Sequence, residues 1–269
     1  MTDWTGYLDG FHREHAGATE RLLSRSVDPD GLDPYDWLAA AVPPGASVVD
    51  VACGSAPTAQ RIHARRYLGV DRSEAELALA RRRHPHADFC VADAVDLPKV
   101  AADVDAVVCS LGLQVLQPLV PTVRAFGSIL RSDGRLVVTL PSSGPRTVAD
   151  VARWAVVLAA LRQRLHYPNE PGDWREVLAS GGFRVTGDDR RRFRFTVDGE
   201  DSAAVVIEAL YLPGVAPARR KAAVTWLTRT AFSRPFTLGI PLRRIVAVAA
   251  RADARPGVAG PTGRDPTAP

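Results

Sequence analysis

The chain has 269 residues, 46% hydrophobic and 24% charged, with a formal net charge of +4. That length suits one large domain or one domain plus a cap, and the composition excludes a disordered, fibrous or disulfide-framed protein. The positive charge does not by itself indicate a nucleic-acid surface: Lys99 and Lys221 are the only lysines, and the arginines are scattered along the chain (Arg81–Arg83, Arg190–Arg192, Arg219–Arg220).

From the N-terminus, Trp4 to Ser26 is helical in pattern, interrupted at Gly17, and has no basic segment followed by an apolar run of the kind an export signal shows. Asp33-Pro34 opens a further helix, Asp33 as N-cap and Pro34 at its first position, which ends before Pro43-Pro44-Gly45. From Ser47 to about Thr139, apolar strands alternate with helical segments, the pattern of a parallel sheet with crossover helices. The expected strands are Ser47–Val51, Tyr67–Val70, Asp88–Val91, Asp105–Cys109 and Arg135–Leu140. A helix through Arg66 is expected after the first strand. Ser73 and Glu76 are expected to form a capping box for the next helix, and Leu119–Leu130 to form another. Val148–Leu165 and Asp173–Ala179 read as helices, Phe183–Val185 and Arg190–Phe195 as strand material, and Leu242–Ala249 as a last strand. Beyond Arg251 the Pro, Gly and Ala content predicts a disordered tail. The longest apolar stretch, Trp154 to Leu161, is far short of the ~20 residues of a membrane span. Cys53, Cys90 and Cys109 fall in or beside core strands and are expected to be buried free thiols in a cytoplasmic protein, without a metal site.

The strongest functional signal lies in Val48 to Ala59. Small residues at Ala52, Gly54 and Ala56 let backbone approach a ligand at the carboxyl end of the first strand. Asp50 can accept hydrogen bonds from that turn or from a ligand ammonium group. Asp71, about twenty residues on, is placed to receive ribose hydroxyls, and Asp93 to accept from an adenine amino group. A nicotinamide dinucleotide fits less well, because Ala52 and Pro57 hold places where a pyrophosphate site needs glycine.

With these residues the chain resembles the class I S-adenosylmethionine (SAM)-dependent methyltransferases, in particular the small-molecule branch common in actinobacterial metabolism. Asp50 to Ala56, including Ala52, Cys53 and Gly54, is similar to the first family motif. Gly69 to Ser73, with Asp71 and Arg72, is similar to the second-strand motif. Ala92 to Pro98, with Asp93 and Ala94, is similar to the stretch around adenine. Val104 to Leu113, with Ser110 and Leu111, is similar to the fourth strand and the loop facing the methyl group. The sequence departs from the family at Ala52 and Ala56, which replace glycines, and at Gln114, where many relatives have His. The resemblance implies a Rossmann-like α/β fold with a doubly wound, mostly parallel sheet and an antiparallel last strand. It further implies an N-terminal helical segment (1–45) over the cofactor site and a core (46–250) with helical cap insertions around 145–180 and 200–235, before the tail (251–269).

A sulfonium is already a good leaving group, so holding donor and acceptor in line is the main task, and a base is needed only if the acceptor must lose a proton. Tyr7, Phe11 and His15 recur at four-residue spacing on one helix face, and the resemblance implies that such a helix closes over the cofactor; Tyr7 and Phe11 are expected to bind it. His15, His12 and His166 are the candidate bases. Ser110-Leu111-Gly112-Leu113 lacks the Asn/Asp-Pro-Pro-Tyr clamp of amino-group methyltransferases, and the cap is rich in Leu, Val, Ala and Trp. A small, largely apolar metabolite is therefore the expected acceptor of a monomeric or homodimeric enzyme that binds neither nucleic acid nor membrane. An RNA or protein methyltransferase, a SAM-fold protein with another activity such as a cyclase, and a nicotinamide dehydrogenase are the alternatives.

Overall fold

The computed structural model describes residues 2–250. Its elements are α1 (Trp4–Glu14), α2 (Ala18–Leu23), β1 (Ser26–Val27), α3 (Pro34–Ala39), β2 (Ser47–Val51), β3 (Arg66–Asp71), α4 (Glu74–Arg83), β4 (Asp88–Val91), β5 (Val104–Ser110), α5 (Leu119–Ile129), β6 (Leu130–Pro141), α6 (Val148–Leu161), α7 (Trp174–Ser180), β7 (Phe183–Val197), α8 (Glu200–Glu208), α9 (Pro217–Ser233) and β8 (Phe236–Ala249), with a 3-10 turn over Ala94–Lys99. They form one eight-stranded sheet in the order β1-β7-β8-β6-β5-β2-β3-β4. β4, β3, β2, β5 and β6 run parallel, whereas β8 pairs antiparallel with both β6 and β7. This is the Rossmann-like, class I methyltransferase architecture. Strand order reverses beside β2, where the crossovers leave in opposite directions and open a crevice at the strand carboxyl ends.

The central strands lie at the middle because they are apolar on both faces. Every residue of β2 is buried, and in β5 Ala106, Val107, Val108 and Cys109 have no exposed surface. One core packs Val49, Val107, Phe126 and Leu136 under α5 and α7; another packs Val48, Ala106 and Val137 against Leu38 of α3. A third core lies over the far ends of β7 and β8, where Phe195, Val197 and Leu238 meet Val157 of α6, Val206 of α8 and Leu227 of α9. These helices are thus seated on the long antiparallel pair β7–β8. In β7 the run Arg192-Phe193-Arg194-Phe195 alternates, with Phe193 and Phe195 buried.

Several expectations are corrected. There is no helix between β2 and β3: residues 57–62 form a turn whose bonds are mostly three residues apart (Ala59 to Ala56, Arg61 to Thr58). Pro57 has no N–H, Thr58 and Arg61 direct their side chains to Asp50, Asp33 and Asp36, and β3 begins at Arg66, so a helix has no room to propagate. The expected N-terminal helical stretch ends instead in β1, two residues paired with the edge of β7. The two expected strand pieces in 183–197 are one strand, and the strand expected at Arg135–Leu140 begins earlier, at Leu130, with an irregularity in its pairing to β5. The Ser73–Glu76 capping box is half made: Ser73 Oγ accepts from the Glu76 N–H at 3.4 Å, but the Glu76 carboxylate turns elsewhere. The expected tail, 251–269, lies outside the described residues.

Candidate active site

A cleft of about 1230 Å³ of atom-free space, counted to its mouth, opens above β2, β3 and β5. Its floor is the turn after β2. There Ala52, Gly54 and Ala56 all take left-handed backbone angles (φ +53°, +54° and +56°). Glycine adopts this conformation freely, whereas each alanine holds it at a cost of roughly 1–2 kcal/mol. The loop after β5 comes just as close. A Cβ on Gly112 would lie 2.5 Å from Cys109 Sγ and 3.0 Å from Ala52 Cβ, so only glycine lets the two loops meet. Leu111 beside it is also left-handed (φ +52°) and is held by Gln114, whose Nε2 donates to the Leu111 carbonyl at 2.6 Å.

The electrostatics of the cleft are one-sided. Among the described residues Asp9, Glu20, Asp50, Asp71, Glu76 and Asp93 line it, against a single arginine, Arg72, which is paired with Asp9 at 3.1 Å. Asp50, 1% exposed, takes hydrogen bonds on Oδ2 from Thr58 and from Tyr67 (2.7 Å), while its Oδ1 is buried without a partner among the described residues. Burial pushes its carboxyl up to about 6, and the two donors only partly oppose this. Asp71 accepts from the N–H groups of Gly54 and Ser73, each at 2.8 Å, clamping the β2 turn to the end of β3. Burial raises its carboxyl, against those two bonds. Asp93 caps the following 3-10 turn through Val95 N–H at 3.2 Å, and Ser110 Oγ lies 3.1 Å from Thr139 Oγ1.

The roof comes from the N-terminal helix. Trp4, Leu8 and His12 of α1 face the cleft, joined by Tyr35 and by Tyr211 of the loop after α8. Asp50, Ala52, Cys53, Gly54, Asp71, Arg72, Asp93, Ala94, Ser110 and Leu111 all line the cleft together with His12. Tyr7, Phe11 and His15 do share one face of α1, but that face turns the other way, into a groove against α8 and α9 lined by Ile207, Val215 and Val224. There the Tyr7 hydroxyl accepts from Leu212 N–H at 2.6 Å and Phe11 packs edge-on against Tyr211. Four-residue spacing finds a helix face without saying which neighbour it meets. His166 packs edge-on against Trp4 at 5.4 Å and does not line the cleft. Glu76, Glu20 and Tyr211 were not anticipated; Glu76 had a local reading as a cap, and the other two carry no local motif.

Residues 48–134 match the methyltransferase-domain family. No curated protein matches the chain. Among solved structures, the fold is similar to a candidate methyltransferase from Bacillus halodurans C-125 (18% identity, 81% of this chain and 99% of that one, TM-score 0.56). It is also similar to the [4+2]-cyclase SpnF (20% identity, 80% of each chain, TM-score 0.52). A third similar structure is the Haemonchus contortus phosphoethanolamine N-methyltransferase 2, held with phosphomonomethylethanolamine and S-adenosylhomocysteine (13% identity, 93% of this chain and 61% of that one, TM-score 0.55). At these identities the likeness is one of fold. The cleft fits the cofactor of this family on its own chemistry: a sulfonium and an ammonium suit a carboxylate-lined wall with an unpartnered Asp50 oxygen, whereas a pyrophosphate would meet carboxylates and one already paired arginine. Residues 48–134 thus match the methyltransferase-domain family, and the sheet built around them has the fold of class I, SAM-dependent methyltransferases.

Proposed function

We propose that the protein transfers the methyl group of SAM to a small, largely apolar acceptor that shares the cleft with the cofactor. When bound, SAM supplies an electrophilic methyl group on a sulfonium that departs as a neutral thioether. In this reading the left-handed turn at Ala52–Ala56 carries the amino-acid end of the cofactor, with the free oxygen of Asp50 taking its ammonium group. Asp71 receives the ribose hydroxyls and Asp93 the adenine amino group, with Cys53, Arg72 and Ala94 packing around them. Ser110, Leu111 and Gly112 then border the reacting centre.

The observation that carries the acceptor class is the roof. Trp4, Leu8 and Tyr211 face Leu111, Val115 and Leu116 across the cleft, so the space left beside a cofactor is mostly apolar and covered by the protein's own helices. Such a covered slot suits a compact molecule rather than a nucleic-acid or protein surface. Incubation with methyl-labelled SAM and a small-molecule metabolite extract should move label into a compound soluble in organic solvent. Label recovered only in added RNA or protein would contradict the acceptor class. SAM binding with no label transfer to any fraction would favour another activity on the same fold, the reading to which the likeness to a cyclase lends support.

A further inference from the structure

Three cleft-lining side chains from distant parts of the chain stand in one hydrogen-bonded line. Glu76, 4% exposed at the start of α4, lies 2.9 Å through Oε1 from Nδ1 of His12 on α1. Its two oxygens also accept from the N–H of Gly17, at 3.1 and 3.0 Å. On the other side of the ring, His12 Nε2 is 3.3 Å from the hydroxyl of Tyr211. An ionised carboxylate can only accept, so the neutral imidazole carries its proton on Nδ1 and presents Nε2 as an acceptor. The Tyr211 O–H then donates to Nε2, and the phenol oxygen keeps lone pairs for a ligand in the cleft. Gly17, which separates α1 from α2, locks the carboxylate in place, so the line has a fixed direction.

We propose that Tyr211, His12 and Glu76 form a proton relay that deprotonates a hydroxyl group of the methyl acceptor, making the acceptor an alcohol, phenol or enol. This rests on the methyltransferase reading above. The acceptor O–H bond breaks with its electron pair left on the acceptor oxygen, which becomes the nucleophile. That proton passes to the Tyr211 oxygen as the Tyr211 proton moves to His12 Nε2, and Glu76 faces the imidazolium so formed. Tyr211 ends neutral, as it began. Burial and the charges of Glu76 and Asp71 push its hydroxyl well up, which suits a group that passes a proton on rather than one that holds a negative charge. The assignment to a hydroxyl follows from the need: a neutral amine already offers a lone pair, whereas a neutral hydroxyl is a poor nucleophile until its proton is taken.

The wiring is read by long-range proton–nitrogen NMR on ¹⁵N-labelled protein loaded with S-adenosylhomocysteine. Neutral His12 should carry its proton on Nδ1, the minor tautomer of free imidazole, and Tyr211→Phe should move the population toward Nε2–H. In parallel, Tyr211→Phe and His12→Gln should bind SAM within about twofold of wild type and slow label transfer to the metabolite extract by about 10²-fold or more. An Nε2–H tautomer in the wild type, or full-rate transfer by Tyr211→Phe, would overturn the relay. So would a weakened SAM affinity with the transfer rate at saturation unchanged, since the line would then only latch α1 over the cofactor. No transfer by the wild type would instead strike the underlying reading, while the tautomer measurement still decides the wiring.

Discussion

Asp50 sits at the end of β2 with Oδ2 satisfied by Thr58 and Tyr67 and Oδ1 without any partner. Its carboxyl titrates near 6 in the folded protein, above its ordinary value of 3.8. Below about pH 4 the folded and unfolded forms are both protonated. As pH rises through the window from about 4 to 6 the unfolded form loses its proton first, so stability falls, by up to about 3 kcal/mol, and then levels off. Asp50→Asn keeps an acceptor for Thr58 and Tyr67. It should match wild type near pH 4 and exceed its stability by about 1–3 kcal/mol at pH 8, measured by urea unfolding of the ligand-free protein. The same variant should bind SAM at least tenfold more weakly, because the ammonium loses its anionic partner. Ala52→Gly tests the turn itself. Relief of roughly 1–2 kcal/mol of left-handed strain outweighs the 0.4–1 kcal/mol of added chain entropy, so a small gain in midpoint is expected. These positions were legible in the sequence because each follows directly from a strand end: Asp50, Asp71, Asp93 and Ser110 all lie where a parallel strand delivers its last residues to the crevice. His12–Glu76 and His12–Tyr211 were not, since they join residues 64 and 199 positions apart and no local pattern encodes which side of α1 meets the cleft.

At the scale of elements, α1 and α6 are held by carboxylates rather than by large apolar faces alone. Gly17 (φ +72°) makes the break between α1 and α2, and a Cβ there would stand 2.9 Å from Leu79 Cδ2. Gly17→Ala should cost about 1–2 kcal/mol and raise amide exchange across residues 4–23. On the other side of the molecule, Asp150 at the start of α6 has no exposed surface. It is gripped by Arg192 of β7 at 2.6 and 2.7 Å and by Gly239 N–H of β8 at 2.9 Å. Those bonds outweigh burial and hold its carboxyl well below the usual range. Arg192→Ala leaves that charge buried and unpaired and should cost about 3–5 kcal/mol in a denaturant melt. The strand expected over Arg190–Phe195 is there, and its Arg192 is bound to the buried Asp150 rather than left to solvent. The absent helix after β2 shows the opposite failure, because propensity is local while Thr58 and Arg61 are committed to Asp50, Asp33 and Asp36.

Across the whole molecule, the net charge of +4 is dispersed into pairs. Arg191 meets Asp28, Arg243 and Arg175 meet Asp188, Arg244 meets Asp189, and Arg65 meets Asp105. Arginines committed in this way are poorly placed to neutralise phosphates, so binding to a polyanion such as heparin should be weak and lost at modest salt in a filter or column assay. Among the described residues no helix is long and apolar enough to cross a membrane. The parallel half of the sheet was readable from its alternating strands and helices, and the antiparallel β8 from the family resemblance. The seating of α6, α8 and α9 on the far ends of β7 and β8 was not, because it depends on how far that strand pair runs beyond its pairing with β6. The cleft gathers six carboxylates and one paired arginine above the switch in strand order, and the choice of cofactor follows from that balance. Titration calorimetry of the purified protein with SAM, S-adenosylhomocysteine and NADH tests it most directly. Micromolar binding of the two sulfur nucleosides with no heat from NADH is the expected result, and binding of NADH with none of SAM would contradict the account.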